Sequence, residues 1–241
     1  MSDLILQLAL AVIPAILAIT LHEAAHGYAA LALGDDTARL AGRLSLNPLR
    51  HVDRVGTILL PGFLMIAQLL TIHRVAFMFG WAKPVPVAAW KFRHPRQGMA
   101  LVASAGPLAN FFLAWLGGLA LHLVDGLPAN AADILAILLQ YFILSNLVLG
   151  LFNLLPIPPL DGGRIMVGLL PTGLAMRWAR MERAGILIVL LGVFLLPTLA
   201  REMGFNFDPF GTALGAVVPW AIRMVLYLSG HAIGANDGSL I

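Results

Sequence analysis

His22-Glu23-Ala24-Ala25-His26 places two imidazoles and a carboxylate at a spacing that does chemistry on a helix. Residues i and i+4 stand one turn apart on one face, so both rings can reach a single Zn²⁺, and Glu23 sits beside them to take a proton from water. That is the wiring of a metallopeptidase. The chain holds seven His and three Glu in 241 residues, so chance alone would produce His-Glu-x-x-His in roughly a few such chains per thousand. One of the three glutamates stands between the two histidines.

The elements that must position this motif are apolar. Hydrophobic residues make up 60% of the chain and charged residues 11%, a balance that a water-soluble domain of this length could not cover with polar surface. The expected class is an all-α polytopic membrane protein forming one domain over residues 1–241. Thirteen Arg and two Lys give a formal charge of +3 and lie almost entirely between the apolar runs. They read as topology signals and headgroup contacts, not as a nucleic-acid surface. There is no cysteine, which excludes disulfides and thiolate metal sites. The first apolar run lacks a basic flank before it and carries the motif, so it reads as part of the mature protein.

About five membrane helices are expected: Leu4 to about Leu33 with Gly34-Asp35-Asp36 as the stop, Met99 to Val124, Ile134 to about Leu155, a core at Ile186 to Leu196, and Pro209 to Leu228. Thr57 to Thr71, flanked by Arg50, Arg54, Arg74 and Lys83, is short enough to re-enter, although a full crossing is the other option. Thr37 to Asn47 alternates partly around Gly42 and suggests a small interfacial β-hairpin. The Asp125 to Asp133 loop has no basic residue, whereas Arg164, Arg177, Arg180 and Arg183 follow the third span. The former should face out and the latter the cytoplasm.

Two histidines leave a catalytic zinc one protein ligand short. Ala29 and Ala32 stand where an extended motif would place Gly and a third His, and Glu182 and Glu202 adjoin arginines. Asp161 closes the third span in Asn153-Leu-Leu-Pro156-Ile-Pro158-Pro159-Leu160-Asp161-Gly162-Gly163. A carboxylate at that depth costs about 2.5–3.5 kcal/mol unless paired, and a metal would offset it; a helix-end cap is the alternative. If the first helix enters from outside, His22 lies roughly 27 Å along it, in the cytoplasmic half, at the depth of Asp161.

His-Glu-x-x-His on an early membrane helix, Gly106-Pro107-x-x-Asn110 opening the next, and Leu160-Asp161-Gly162 after a helix bearing Asn153 resemble the site-2 proteases, intramembrane zinc metalloproteases. Phe79 to Val87 (FGWAKPVPV) and Ser45-Leu-Asn-Pro48 are similar to the compact prokaryotic branch without PDZ or CBS regions. The resemblance implies one Zn²⁺ held by His22, His26 and Asp161, Glu23 as the base, and transmembrane segments as substrates within a prokaryotic cell membrane. Asn153 and Asn110 are candidates for substrate binding, with interhelical hydrogen bonding and packing as their alternatives. The competing reading is a non-proteolytic membrane protein, a metal transporter or an inactive relative. Intact Glu23, and ionisable residues gathered at one depth, speak against it. Nothing in the sequence fixes an oligomeric state.

Overall fold

A computed structural model describes residues 2–71, 73 and 80–232; Arg74 and Phe79, used above, lie outside the described residues. Ten α-helices are described: α1 (Ser2–Ala32), α2 (Thr37–Leu40), α3 (Leu60–Thr71), α4 (Pro95–Ala120), α5 (Ala129–Asn153), α6 (Asp161–Leu169), α7 (Thr172–Arg180), α8 (Glu182–Val189), α9 (Leu196–Glu202) and α10 (Pro209–Leu228). Among the described residues, six helical stretches are long and apolar enough to cross a membrane, the five expected and Arg54–Thr71, where a π-helical turn runs into α3. With 18 residues, that sixth stretch is about 27 Å long. Large apolar side chains face outward along these helices, among them Ile5, Ile13, Phe63, Leu70, Leu108 and Leu187, as a lipid-facing surface requires.

α4 is the hub, packing against α1, α5, α6 and α10. It runs antiparallel to α1, because His22 meets Asn110 while His26 meets Val102. It also runs antiparallel to α5, with Gly117 against Ile143 and Gly150 against Asn110. The carboxyl ends of α1 and α5 therefore point the same way, and the amino end of α4 lies with them. Ala114, Ile143, Leu147, Ala221 and Val225 form the core between α4, α5 and α10. Ala30, Phe92 and Val102 tie the end of α1 to the start of α4.

α1 stops where expected. Gly34 adopts φ +98°, and the N–H groups of Asp35 and Gly34 return to the carbonyls of Ala30 and Leu31, closing the last turn in the manner of a Schellman motif. The expected β-hairpin does not form, and the described residues contain no strand. Thr37–Leu40 is instead a helical turn, closed by Gly42 at φ +63° through the bond from Arg43 N–H to Ala38 O. The glycine that looked like a hairpin turn serves as a helix stop. Arg43 then folds inward and donates to the carbonyls of Arg50 and Lys83, so two main-chain acceptors of the connection beyond this turn are satisfied by its side chain.

Two anchors close the long connection between α1 and α4. Trp81 N–H donates to Gly56 O at 3.1 Å and Thr57 Oγ1 donates to Trp81 O at 2.9 Å, so the chain departs at Gly56 and comes back to the same place at Trp81. Beyond it, Asp35, with no exposed surface, accepts from Thr37 N–H, Thr37 Oγ1 and Ala88 N–H at 3.0, 2.5 and 2.6 Å. Lys91 Nζ completes the knot, 3.3 Å from Asp35 and 2.7 Å from Asp36.

Burial pushes the Asp35 carboxyl up, but the Thr37 hydroxyl, the Ala88 and Thr37 N–H groups and Lys91 more than offset it and hold it below 3.8. The hydrogen bond to Asp36 holds Lys91 above 10.5. A depressed acid stabilises the fold fully above its unfolded value and loses that contribution as pH falls through the lower folded value; a raised base does so below its unfolded value and loses it as pH rises through the higher one. Asp35→Ala should therefore lower the melting temperature at pH 7 by about 5 °C, with the gap from the unsubstituted chain closing at pH values below that of the folded carboxyl. Thermal unfolding in detergent across pH 2–8 measures it; a gap independent of pH would remove the charged knot as its source.

Candidate metal centre

α1, α4 and the break between α5 and α6 meet at one place. His22 and His26 project from one face of α1 with their rings edge to face, 4.6 Å between centroids. Asp161 reaches them from the first turn of α6. The Nε2 atoms of the two histidines are 3.1 Å apart, and Asp161 Oδ2 lies 3.1 Å from His22 Nε2 and 3.3 Å from His26 Nε2. All three residues are buried, at 4, 9 and 7% exposure.

The Asp161 position depends on a helix break. Leu154 and Leu155 bond back into the last turn of α5, after which Pro156, Pro158 and Pro159 supply no N–H to continue it, and α6 begins at Asp161. Gly162 makes the return possible: a side chain there would run into the carbonyls of Leu154 and Leu155. Arg96 holds the other end of α6, donating to Val167 O at 3.2 and 2.9 Å, to Leu170 O, and to Thr172 Oγ1 at 3.0 Å.

The donor set fits a zinc ion on an independent observation. A neutral imidazole carries one N–H. His22 Nδ1 lies 2.5 Å from Asn110 Oδ1 and His26 Nδ1 lies 2.7 Å from Val102 O, two acceptors that call for the proton at Nδ1 on both rings. Each Nε2 then turns a lone pair inward. Asp161 Oδ2 is buried and has no hydrogen-bond donor. Three electron-pair donors turned on one another repel, and a metal cation held among them would relieve that repulsion. Edges of 3.1–3.3 Å match the roughly 3.3 Å between ligands of a tetrahedral zinc with bonds near 2.0–2.1 Å. Gly106 of α4 lets the helix lie directly over the rings, since a Cβ there would stand 2.5 Å from His26 Nε2 and 2.6 Å from His22 Cε1.

The other expected residues fall as follows. Glu23, half-buried on α1, lies outside the converging trio and accepts from Val85 N–H at 3.3 Å. Asn110 is fully buried; its Nδ2 donates to Asn146 Oδ1 at 2.8 Å and Ala18 O at 3.4 Å, and its Oδ1 faces His22. Asn153 donates to Leu149 O of its own helix at 3.0 Å and is not joined to the trio. The sequence reading overlooked Asn146, Val102 and Val85. Asn146 offered a signal, a polar side chain within an apolar span; Val102 and Val85 act through main-chain atoms, which no residue type advertises.

Residues 121–199 match peptidase family M50, a stretch that includes Asp161 but neither histidine. The chain is 43% identical over 193 residues to the Bacillus subtilis protein named "Putative zinc metalloprotease YwhC", covering 77% of this chain and 80% of that one. It is 30% identical over 190 residues to "Putative zinc metalloprotease Rip2" of Mycolicibacterium smegmatis, covering 77% of this chain and 66% of that one. No solved structure matches the chain significantly.

Gly106→Ala should drive a methyl group into both imidazoles and weaken zinc binding by at least about tenfold, while a methyl at Gly126, where it meets nothing within 4 Å, should leave binding unchanged. Competition with a chromophoric chelator compares the two; equal affinities would mean that the rings do not need the close approach of α4.

Proposed function

The chain belongs to peptidase family M50 and is an intramembrane zinc metalloprotease, and on that premise we propose that it acts as one domain to cut transmembrane segments, using His22, His26 and Asp161 as zinc ligands and Glu23 as base. The observation that carries this reading is the convergence of His22 Nε2, His26 Nε2 and Asp161 Oδ2 in a buried site, with both Nδ1 atoms facing acceptors. Zinc, when bound, supplies the Lewis acidity that brings a coordinated water toward a pKa of about 7 and polarises a carbonyl.

The chain's own residues do the rest. Asn110 and Val102 hold the two imidazoles by their Nδ1–H groups, so both Nε2 atoms stay directed inward. Glu23 takes a proton from the attacking water and delivers it to the leaving amide nitrogen, so one water is consumed and a carboxylate and an amine are released. The N–H of Val85 fixes one Glu23 oxygen and leaves the other for that proton. A substrate helix conceals its carbonyls in its own hydrogen bonds, so a segment must unwind locally to reach Glu23. Segments rich in Gly or Pro are the substrate class this favours. Of the two candidate amides, Asn110 is committed to His22, which leaves Asn153 as the one to meet substrate backbone.

The site lies in the cytoplasmic half of the membrane. Parallel α1 and α5, and the shared face of the α1 end and the α4 start, support a connection that enters and returns on one side, with Arg54–Thr71 re-entering and not crossing. The basic residues from Arg39 to Arg54 and from Arg164 to Arg183 assign that side to the cytoplasm.

Glu23→Gln should keep zinc and lose cleavage of a transmembrane substrate by a factor of about 10² or more, whereas His22→Ala and Asp161→Ala should lose both. Zinc content and peptide cleavage by the purified protein check this; retained cleavage in Glu23→Gln sinks the mechanism. For topology, the chain has no cysteine, so single cysteines at Asp36 and Gly126 can be labelled from either side of sealed cells. Asp36 should react only from the cytoplasm and Gly126 only from outside. The reverse pattern would place the site in the outer half.

A further inference from the structure

The two zinc-binding imidazoles are held by different kinds of acceptor. His26 Nδ1 faces the main-chain carbonyl of Val102, an atom that can only accept. His22 Nδ1 faces a primary amide, Asn110, which can offer either an oxygen or an NH₂ group depending on which way it is turned. If the NH₂ group were turned toward the ring, the imidazole proton would move to Nε2, where it would block the metal. Something must set the Asn110 amide, and two acceptors hold its Nδ2: Ala18 O at 3.4 Å and Asn146 Oδ1 at 2.8 Å. The Asn146 amide is set in turn, since its Nδ2 donates to Phe142 O of its own helix at 2.9 Å. Both asparagines have no exposed surface.

From this chain of bonds we infer that Asn146 is a positioning residue that selects the metal-binding tautomer of His22 through Asn110. The direction runs one way. The Phe142 carbonyl turns the Asn146 oxygen toward α4, that oxygen takes the Asn110 NH₂ group, the Asn110 oxygen takes the His22 Nδ1 proton, and the His22 Nε2 lone pair is left for zinc. Three helices, α5, α4 and α1, are linked by it in order. The inference rests on the reading of His22 as a zinc ligand, and it adds a residue with no contact to the metal.

The test is zinc affinity of the purified full chain in detergent, measured by competition with a chromophoric chelator. Asn146→Leu keeps the branched shape and removes the acceptor, freeing the Asn110 amide to turn; zinc should bind about 10–100-fold more weakly. Asn146→Asp is the conservative variant. Burial beside a carbonyl keeps its carboxyl protonated, so the O–H replaces Nδ2–H toward Phe142 and the second oxygen still accepts from Asn110. Its zinc affinity should lie within about threefold of the unsubstituted chain, even if its melting temperature falls. Leu147→Ala, a neighbouring buried position with 2% exposure, should lower the melting temperature and leave zinc affinity alone. A purely structural role predicts the opposite order, with the buried acid at least as damaging as leucine. Asn146→Leu binding zinc as tightly as the unsubstituted chain, or Asn146→Asp binding as weakly as Asn146→Leu, overturns the inference; if Asn146→Leu does not fold, Asn146→Asp against Leu147→Ala decides. His22→Ala measured alongside separates the two claims, because full zinc affinity there would remove the ligand assignment itself and not only the relay.

Discussion

Three electron pairs pointed at one another in a low-dielectric interior are the constraint on which the rest of this structure depends. His22 Nε2, His26 Nε2 and Asp161 Oδ2 lie 3.1–3.3 Å apart, an arrangement that repels itself unless a cation sits among them. Each must therefore be held by something outside the trio. The Nδ1 bonds to Asn110 and Val102 hold the rings, and the broken helix after Asn153 holds the carboxylate. Because both ring partners lie on α4, that helix has to run antiparallel to α1 and close against it, which is what Gly106 allows.

The carboxylate imposes the second demand. A continuous α5 would carry Asp161 roughly two turns beyond Asn153, past the depth of the histidines. The proline-rich break shortens that path and restarts the helix at Asp161 itself, so that Gly162 nests against the carbonyls that α5 leaves open. Arg96 fixes the far end of α6 on the start of α4. One helix thereby supports both halves of the site, packing on α1 for the histidines and on α6 for the aspartate.

The connection from α1 to α4 has a different task, which is to bring main-chain groups to a site it does not build. Its two anchors, Trp81 on Gly56 and Lys91 on Asp35 and Asp36, hold the segment that presents Val85 N–H to Glu23. Pro84 and Pro86 on either side of Val85 carry no N–H, so within that tripeptide Val85 is the sole main-chain donor.

What was legible in the sequence was periodic or compositional. The apolar runs, the stop at Gly34, the helix spacing of His22 and His26, and the helix-breaking prolines before Asp161 all act over a few neighbouring residues, so residue type and spacing suffice to fix them. The misreading at Thr37 to Asn47 came from the same source: weak alternation and a glycine suit a hairpin and a helical turn equally, and the inward bonds of Arg43, reaching as far as Lys83, decided between them. Asn110 was visible as a residue but not as a partner of His22, since 88 positions separate them. Sequence by itself determined a membrane-embedded zinc peptidase motif and offered Asp161 as the candidate to complete it. Only the tertiary structure decided that Asn110 bonds to His22 and Asn146, Val102 to His26 and Val85 to Glu23, because hydrogen bonds between separate segments depend on which faces meet and at what depth, and local propensity carries no information about either.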